Sequence, residues 1–258
     1  MARVPHQLYG VLDAAERGSV GRWRALALAE IEAAHAIGRL PIIVGGTGLY
    51  LRALQYGLAA IPPIPAPIRI EAGELYRRLG APGFVERLRA LDPVAAARLP
   101  PGDRQRLTRA FEVARATGVP LGEWQRQAAY TTPYRFASLL LAPPREALYA
   151  ACDARFARMI AAGGLAEARA LAARGLDPGL PAMKGVGVPE LLRHVRGEIT
   201  LNQAIPLAQR STRRYAKRQM TWFGHQMTAD LTFNEQFSES LLRCSRHFID
   251  HFLLTRRP

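Results

Sequence analysis

Cysteine is nearly missing from this sequence. Cys152 and Cys244 stand alone, and neither has a Cys or His companion at zinc-ligand spacing. That excludes a disulfide scaffold or a zinc ribbon and leaves two ordinary thiols. Long apolar runs are missing as well. The stretch around Leu139-Leu140-Leu141 ends at Pro143-Pro144, far short of the roughly 18–20 residues of a membrane helix. Met1 to His6 has no apolar signal-peptide core, so a cytoplasmic protein with no membrane partner is expected. Lysine occurs only as Lys184 and Lys217, and 21 acids face 35 lysines and arginines. The formal net charge of +14 disfavours a purely structural role and points to a polyanionic partner. Arginine binds phosphate through a planar fork and stacks on bases, so RNA suits this composition.

What is present suffices for a folded core. The chain has 258 residues, 49% of them hydrophobic, enough for one large domain or a core with an inserted subdomain. Trp23, Leu26, Ala27, Ile31 and Ala34 recur at helical spacing across 22–37, and Gly38 is placed to close that helix. Leu40-Pro41-Ile42-Ile43-Val44 is a short continuous apolar run that predicts a buried parallel strand. Gly45-Gly46-Thr47-Gly48 then turns the chain, and Leu49 to Leu54 starts another helix. Helix, strand, glycine turn, helix is the unit of an open α/β sheet. The proline-dense stretch from Ala60 to Pro67 leaves that sheet. Residues 71–132 predict helices only, with Asp103 as an N-cap and Gly118 as a stop. Phe136 to Ala142 predicts a second buried strand, 145–174 a long helical stretch broken at Gly163-Gly164, and the chain from Pro189 to Leu254 mostly helix.

Three segments carry residue types suited to chemistry. Gly45-Gly46-Thr47-Gly48 follows an apolar run and precedes a helix, so its backbone N–H groups, the helix N-terminus and the Thr47 hydroxyl suit an anion; taken alone, such a glycine pair is more often just a tight turn. In Arg213-Arg214-Tyr215-Ala216-Lys217-Arg218-Gln219-Met220-Thr221-Trp222, Arg214 and Arg218 share a helix face, as do Arg213 and Lys217. Like charges one turn apart destabilise a bare helix, so an anion should lie against them, unless the face is merely solvated. In Asp103-Arg104-Gln105-Arg106-Leu107-Thr108-Arg109, Gln105 and Arg109 lie one turn apart with Arg106 beside them, a set able to reach phosphates and base edges or simply to face water.

With Val4-Pro5-His6-Gln7-Leu8 and Pro181-Ala182-Met183-Lys184-Gly185-Val186-Gly187, these segments resemble the tRNA dimethylallyltransferase (tRNA isopentenyltransferase) family, in the same order and along nearly the whole chain. The resemblance implies transfer of a dimethylallyl group from its diphosphate to N6 of adenosine 37 of tRNA, beside the anticodon, by a monomer using Mg2+. It implies catalytic roles for Thr47 and Arg218. Gly45, Gly46, Thr47, Arg214, Lys217 and Arg218 would meet the diphosphate, with the three cations of 214–218 left as rival grips on it. Thr47, Arg69, Gln105, Arg106, Leu107, Thr108 and Arg109 would meet the anticodon stem-loop. The implied fold is α/β: a P-loop-NTPase-like parallel sheet core from 1–70 and 133–258, with a helical tRNA-binding insertion at 71–132.

The family's Gly-x-x-x-x-Gly-Lys-Ser/Thr loop and its early Asp-Ser-x-Gln-x-Tyr stretch have no counterpart here, since neither lysine follows a glycine and Asp13 lies in an unrelated Gly10-Val11-Leu12-Asp13-Ala14 context. The expectation is that the N-terminal strand and P-loop fall ahead of Met1 and that the chain as written transfers poorly. Two other readings compete: a non-catalytic tRNA-binding remnant, and a P-loop-fold small-molecule phosphotransferase, against which the +14 charge counts.

Overall fold

In the computed structural model, which describes residues 4–127 and 132–255, helices begin and end where local side-chain chemistry directs. Helix α1 (Val20–Ala36) opens on Ser19, whose side chain accepts from the Arg22 N–H and so satisfies an orphan donor of the first turn. It closes on Gly38 at φ 66°, with Gly38 N–H on the His35 carbonyl and Arg39 N–H on that of Ala34. That doubled bond around a left-handed residue is the Schellman stop. Helix α2 (Gly48–Tyr56) follows.

The chain forms two compact units, residues 1–54 with 134–258 and residues 55–133. The second unit is helical: α3 (Ala66–Arg89, interrupted at Gly80), α4 (Pro93–Arg98), α5 (Arg104–Thr117) and α6 (Leu121–Gln127). Asp103 caps α5 by accepting from the Arg106 N–H, and Gly118 ends it at φ 70°. Phe84, Leu88, Leu107 and Phe111 form its core with Tyr76 against them. Asp92, 2% exposed, is tolerated there because its carboxylate caps α4 through the Ala95 N–H.

The first unit is also mostly helical. After β1 (Leu139–Leu141) come α7 (Arg145–Met159), a wide turn at Ile160–Gly164 and α8 (Leu165–Ala173). The glycine pair breaks the helix as expected, with Gly163 at φ 107°. Then follow α9 (Val188–Val195), the long α10 (Leu201–Gln226), β2 (Leu231–Phe233) and α11 (Glu239–Leu254). Phe156, Ala168, Leu191 and Ala208 join α7 to α10 in one core, and Ala27, Ile31 and Leu54 join α1 and α2 in another. β1 and β2 pair in parallel, Leu139 opposite Leu231 and Leu141 opposite Phe233. Ser138 fixes this register by donating its N–H and hydroxyl to Asp230 at 2.7 and 2.6 Å, which also holds the Asp230 carboxyl below its usual range.

Two expectations are corrected. Residues 40–44 form no strand, and Ile42 and Val44 are 68% and 81% exposed. A ladder needs a partner, and no described strand lies beside them. The strand expected over 136–142 shortens to three residues, and its partner β2 falls in a region read as helix. The described fold is therefore predominantly helical with a small parallel sheet, and its helices bear the site. No described helix is long and apolar enough to cross a membrane.

Candidate active site

The glycine loop needs its glycines because α10 occupies the space where side chains would be. A Cβ on Gly46 would come within 2.0 Å of the Gln219 amide nitrogen, and one on Gly48 within 2.0 Å of the Trp222 ring. The Gln219 amide ends a flexible side chain, but the indole is rigid and three of its atoms lie within 2.4 Å of the Gly48 position. Loop 45–48 therefore lies directly on the second half of α10. A further tie joins the same elements, Arg52 donating to Gln226 at 2.8 Å. Two of the three sequence segments thus meet in one place, and Gln219 and Trp222 are the residues that sequence reasoning quoted without giving a role. No local signal in either segment announces the pairing.

Helix geometry orders the basic side chains around this contact. At about 100° per residue, Arg218 lies about 40° from Trp222, Arg214 about 80° and Lys217 about 140°. Arg218 borders the loop-bearing side, and Lys217 points away from it. Arg218 is exposed, its guanidinium 5.5 Å from the Tyr215 ring centre. Arg213 belongs to the packing instead, donating to both Asp153 oxygens of α7 at 2.7 and 2.6 Å. Arg214, Lys217 and Arg218 are exposed and form no ion pair among the described residues. Their mutual repulsion therefore stays uncompensated within the chain. Lys184 is exposed on a short turn, Ala182–Lys184.

At the loop, Thr47 accepts on its carbonyl from the N–H groups of Tyr50 and Leu51, so its side chain stands at the N-terminal mouth of α2. Asp13 makes a two-toothed pair with Arg174 at 3.0 and 2.6 Å. That contact, with the Ala15 N–H, lowers its carboxyl to about 2. So weak a base does not suit proton abstraction near neutrality. Asp13 anchors the N-terminal loop to the end of α8.

In the second unit, Arg69 stands exposed in the first turn of α3, and Gln105 and Arg106 are exposed at the start of α5. Arg106 pairs with Asp103 at 3.4 Å, a weak surface contact that a phosphate can displace, and the half-buried Arg109 pairs with Glu112 at 3.6 Å. Thr108 donates its hydroxyl to the Arg104 carbonyl at 2.8 Å. Leu107 is fully buried and anchors α5 in the core, so it presents nothing to a ligand. Among the described residues no three His, Cys, Asp or Glu side chains converge as metal ligands.

Comparison with known proteins adds independent findings. The family model described as IPP transferase matches residues 1–226. A tRNA dimethylallyltransferase of Rhodospirillum centenum is 60% identical over 235 residues, covering 90% of this chain and 75% of the relative. One from Rhodospirillum rubrum is 50% identical over 260 residues, covering 98% and 80%. Among solved structures, the tRNA isopentenylpyrophosphate transferase of Bacillus halodurans is similar at a TM-score of 0.64 and 30% identity, over 97% of this chain and 79% of that one. A eukaryotic dimethylallyltransferase acting on tRNA shares the fold at a TM-score of 0.80 and 22% identity, over 100% and 67%.

Proposed function

The chain belongs to the IPP transferase family, and on that premise we propose that it is a tRNA dimethylallyltransferase, carrying the dimethylallyl group of dimethylallyl diphosphate to N6 of adenosine 37 of tRNA. The seating of loop 45–48 on Gln219 and Trp222 carries the reading, because it sets an anion-suited glycine loop beside an uncompensated basic helix. Gly45, Gly46 and Thr47 offer backbone and hydroxyl donors to the diphosphate, and Arg218 is the cation we assign to it. Arg214 lies further round the helix, and Lys217 faces away. As the allylic C–O bond breaks, negative charge builds on the leaving diphosphate, and preorganised donors there supply the largest catalytic contribution. The adenine must leave its stack to meet the allylic carbon. Arg69, Gln105, Arg106 and Arg109 are suited to grip the anticodon stem-loop while it does, Leu107 being excluded by its burial.

A protein-built magnesium cage does not fit the described residues. Mg2+ suits the diphosphate oxygens themselves, neutralising charge on the leaving group when bound there. We read β1 and β2 as part of a P-loop-NTPase-like core, 71–132 as its helical insertion, and the protein as a cytoplasmic monomer.

The test gives the purified chain unmodified tRNA, dimethylallyl diphosphate and Mg2+, then digests the RNA. Modified adenosine at position 37, and none in a tRNA carrying guanosine there, is expected. Failure to bind tRNA, or modification elsewhere, overturns the reading.

A further inference from the structure

Of the six histidines in the chain, His247 and His251 are the two that stand four residues apart. Both are exposed, and both lie in α11. Helix geometry sets them about 40° apart around the axis and about 6 Å along it, on one flank. The packed side of α11 is a different one, carried by the buried Leu241 and the half-buried Ser245, Phe248, Ile249 and Phe252. The end of the helix is tied down. Arg135 donates to the Phe252 carbonyl at 2.8 Å and to the Thr255 carbonyl, and its guanidinium lies 4.5 Å from the centre of the Phe252 ring. The two imidazoles therefore project into solvent from a backbone that is held in place.

We propose that His247 and His251 chelate one divalent transition-metal ion, of the class of Zn2+ and Ni2+, on this flank of α11. Imidazoles at i and i+4 of a helix can each turn one nitrogen to a common point, the spacing that helical zinc sites use. Imidazole nitrogen suits these ions and not Mg2+, which takes oxygen ligands. Water completes the coordination, in keeping with the lack of a third converging side chain among the described residues. Cys244 shares the flank, but it lies about 10 Å along the axis from His251. Metal–ligand bonds of roughly 2.0–2.3 Å do not let it join an ion that the pair holds. The nearby charges are Arg243, Arg246 and Asp250. Arg246 is engaged by Asp250 at 3.8 Å. Arg243, one turn before His247, opposes a dication, whereas the C-terminal end of the helix, with His251 in its last turn, favours one. An ion bridging successive turns would staple the end of α11. The site uses neither the glycine loop nor α10, so it stands or falls apart from the transfer reading.

Calorimetric titration of the whole chain, reduced and free of chelators, with Ni2+ and separately with Zn2+ tests this. The parent should bind either ion, and excess Mg2+ should not displace it. His247→Ala and His251→Ala should each weaken binding at least about tenfold, since each removes one of two protein ligands. Cys244→Ser should bind as the parent does. The three positions are exposed, so all three variants should keep the parental circular dichroism. Adding Ni2+ should also slow amide exchange across 248–254 in the parent and in Cys244→Ser, and in neither histidine variant. Undiminished affinity in either histidine variant overturns the site. A loss in Cys244→Ser equal to theirs, or a parent that binds neither ion, overturns it as well.

Discussion

Asp13 shows how much a single side chain's surroundings decide. Its carboxylate is held by the Arg174 guanidinium and the Ala15 N–H and is lowered from 3.8 to about 2. A folded-state value below the unfolded one contributes stability that is fully present above 3.8 and is lost as pH falls through about 2. The Asp13→Asn variant should therefore melt below the parent near neutrality, and the gap in Tm should close as pH is stepped down through that window. The pair is exposed, so raising salt should narrow the gap as well. A gap that stays constant down to the lowest pH would mean the contact does not hold in solution. The same scale decides the rival grips on the diphosphate. Arg214, Lys217 and Arg218 read alike along the sequence. They separate only once Gly46 and Gly48 are seen against Gln219 and Trp222, because a helix face has no inside until something packs on it.

The helices were legible in the sequence because their signals are local. Gly38, Asp103, Gly118 and the Gly163 break all act within one turn of themselves. Strands were less legible because pairing is not local. Leu40 to Val44 has strand composition without a described partner, and β2, three residues long, is too short to show an alternation. Helix α5 shows both cases at once. Its cap and stop were readable, but Leu107, taken for a ligand contact, is fully buried as the anchor of that helix. Arg106, exposed, and Arg109, half-buried, remain the candidates of α5 for RNA. Arg106→Ala should reduce the magnitude of the slope of log affinity for tRNA against log salt by about 0.7–0.9, the release expected for one phosphate contact. Arg106→Ala with Arg109→Ala should reduce it by about twice that. A salt series in which neither variant changes the slope removes α5 from the interface.

At the scale of the whole molecule, charge and architecture point the same way. A chain of net charge +14 leaves Arg214, Lys217 and Arg218 without internal acidic partners among the described residues. It sets them on the helix against which its glycine loop is packed. The sequence motifs identified the two halves of that arrangement, and their meeting depends on the long-range packing of α2 against α10. We propose that this meeting point holds the leaving diphosphate, with Arg218 as its cation. Single-turnover transfer to tRNA, read as dimethylallylated adenosine at position 37 in the parent, Arg218→Ala and Lys217→Ala, tests it most directly. Arg218→Ala should transfer at least about a hundredfold more slowly with tRNA still bound, as loss of one preorganised donor requires, while Lys217→Ala stays close to the parent. Transfer by Arg218→Ala at the parental rate, or an equal fall in Lys217→Ala, would contradict the account.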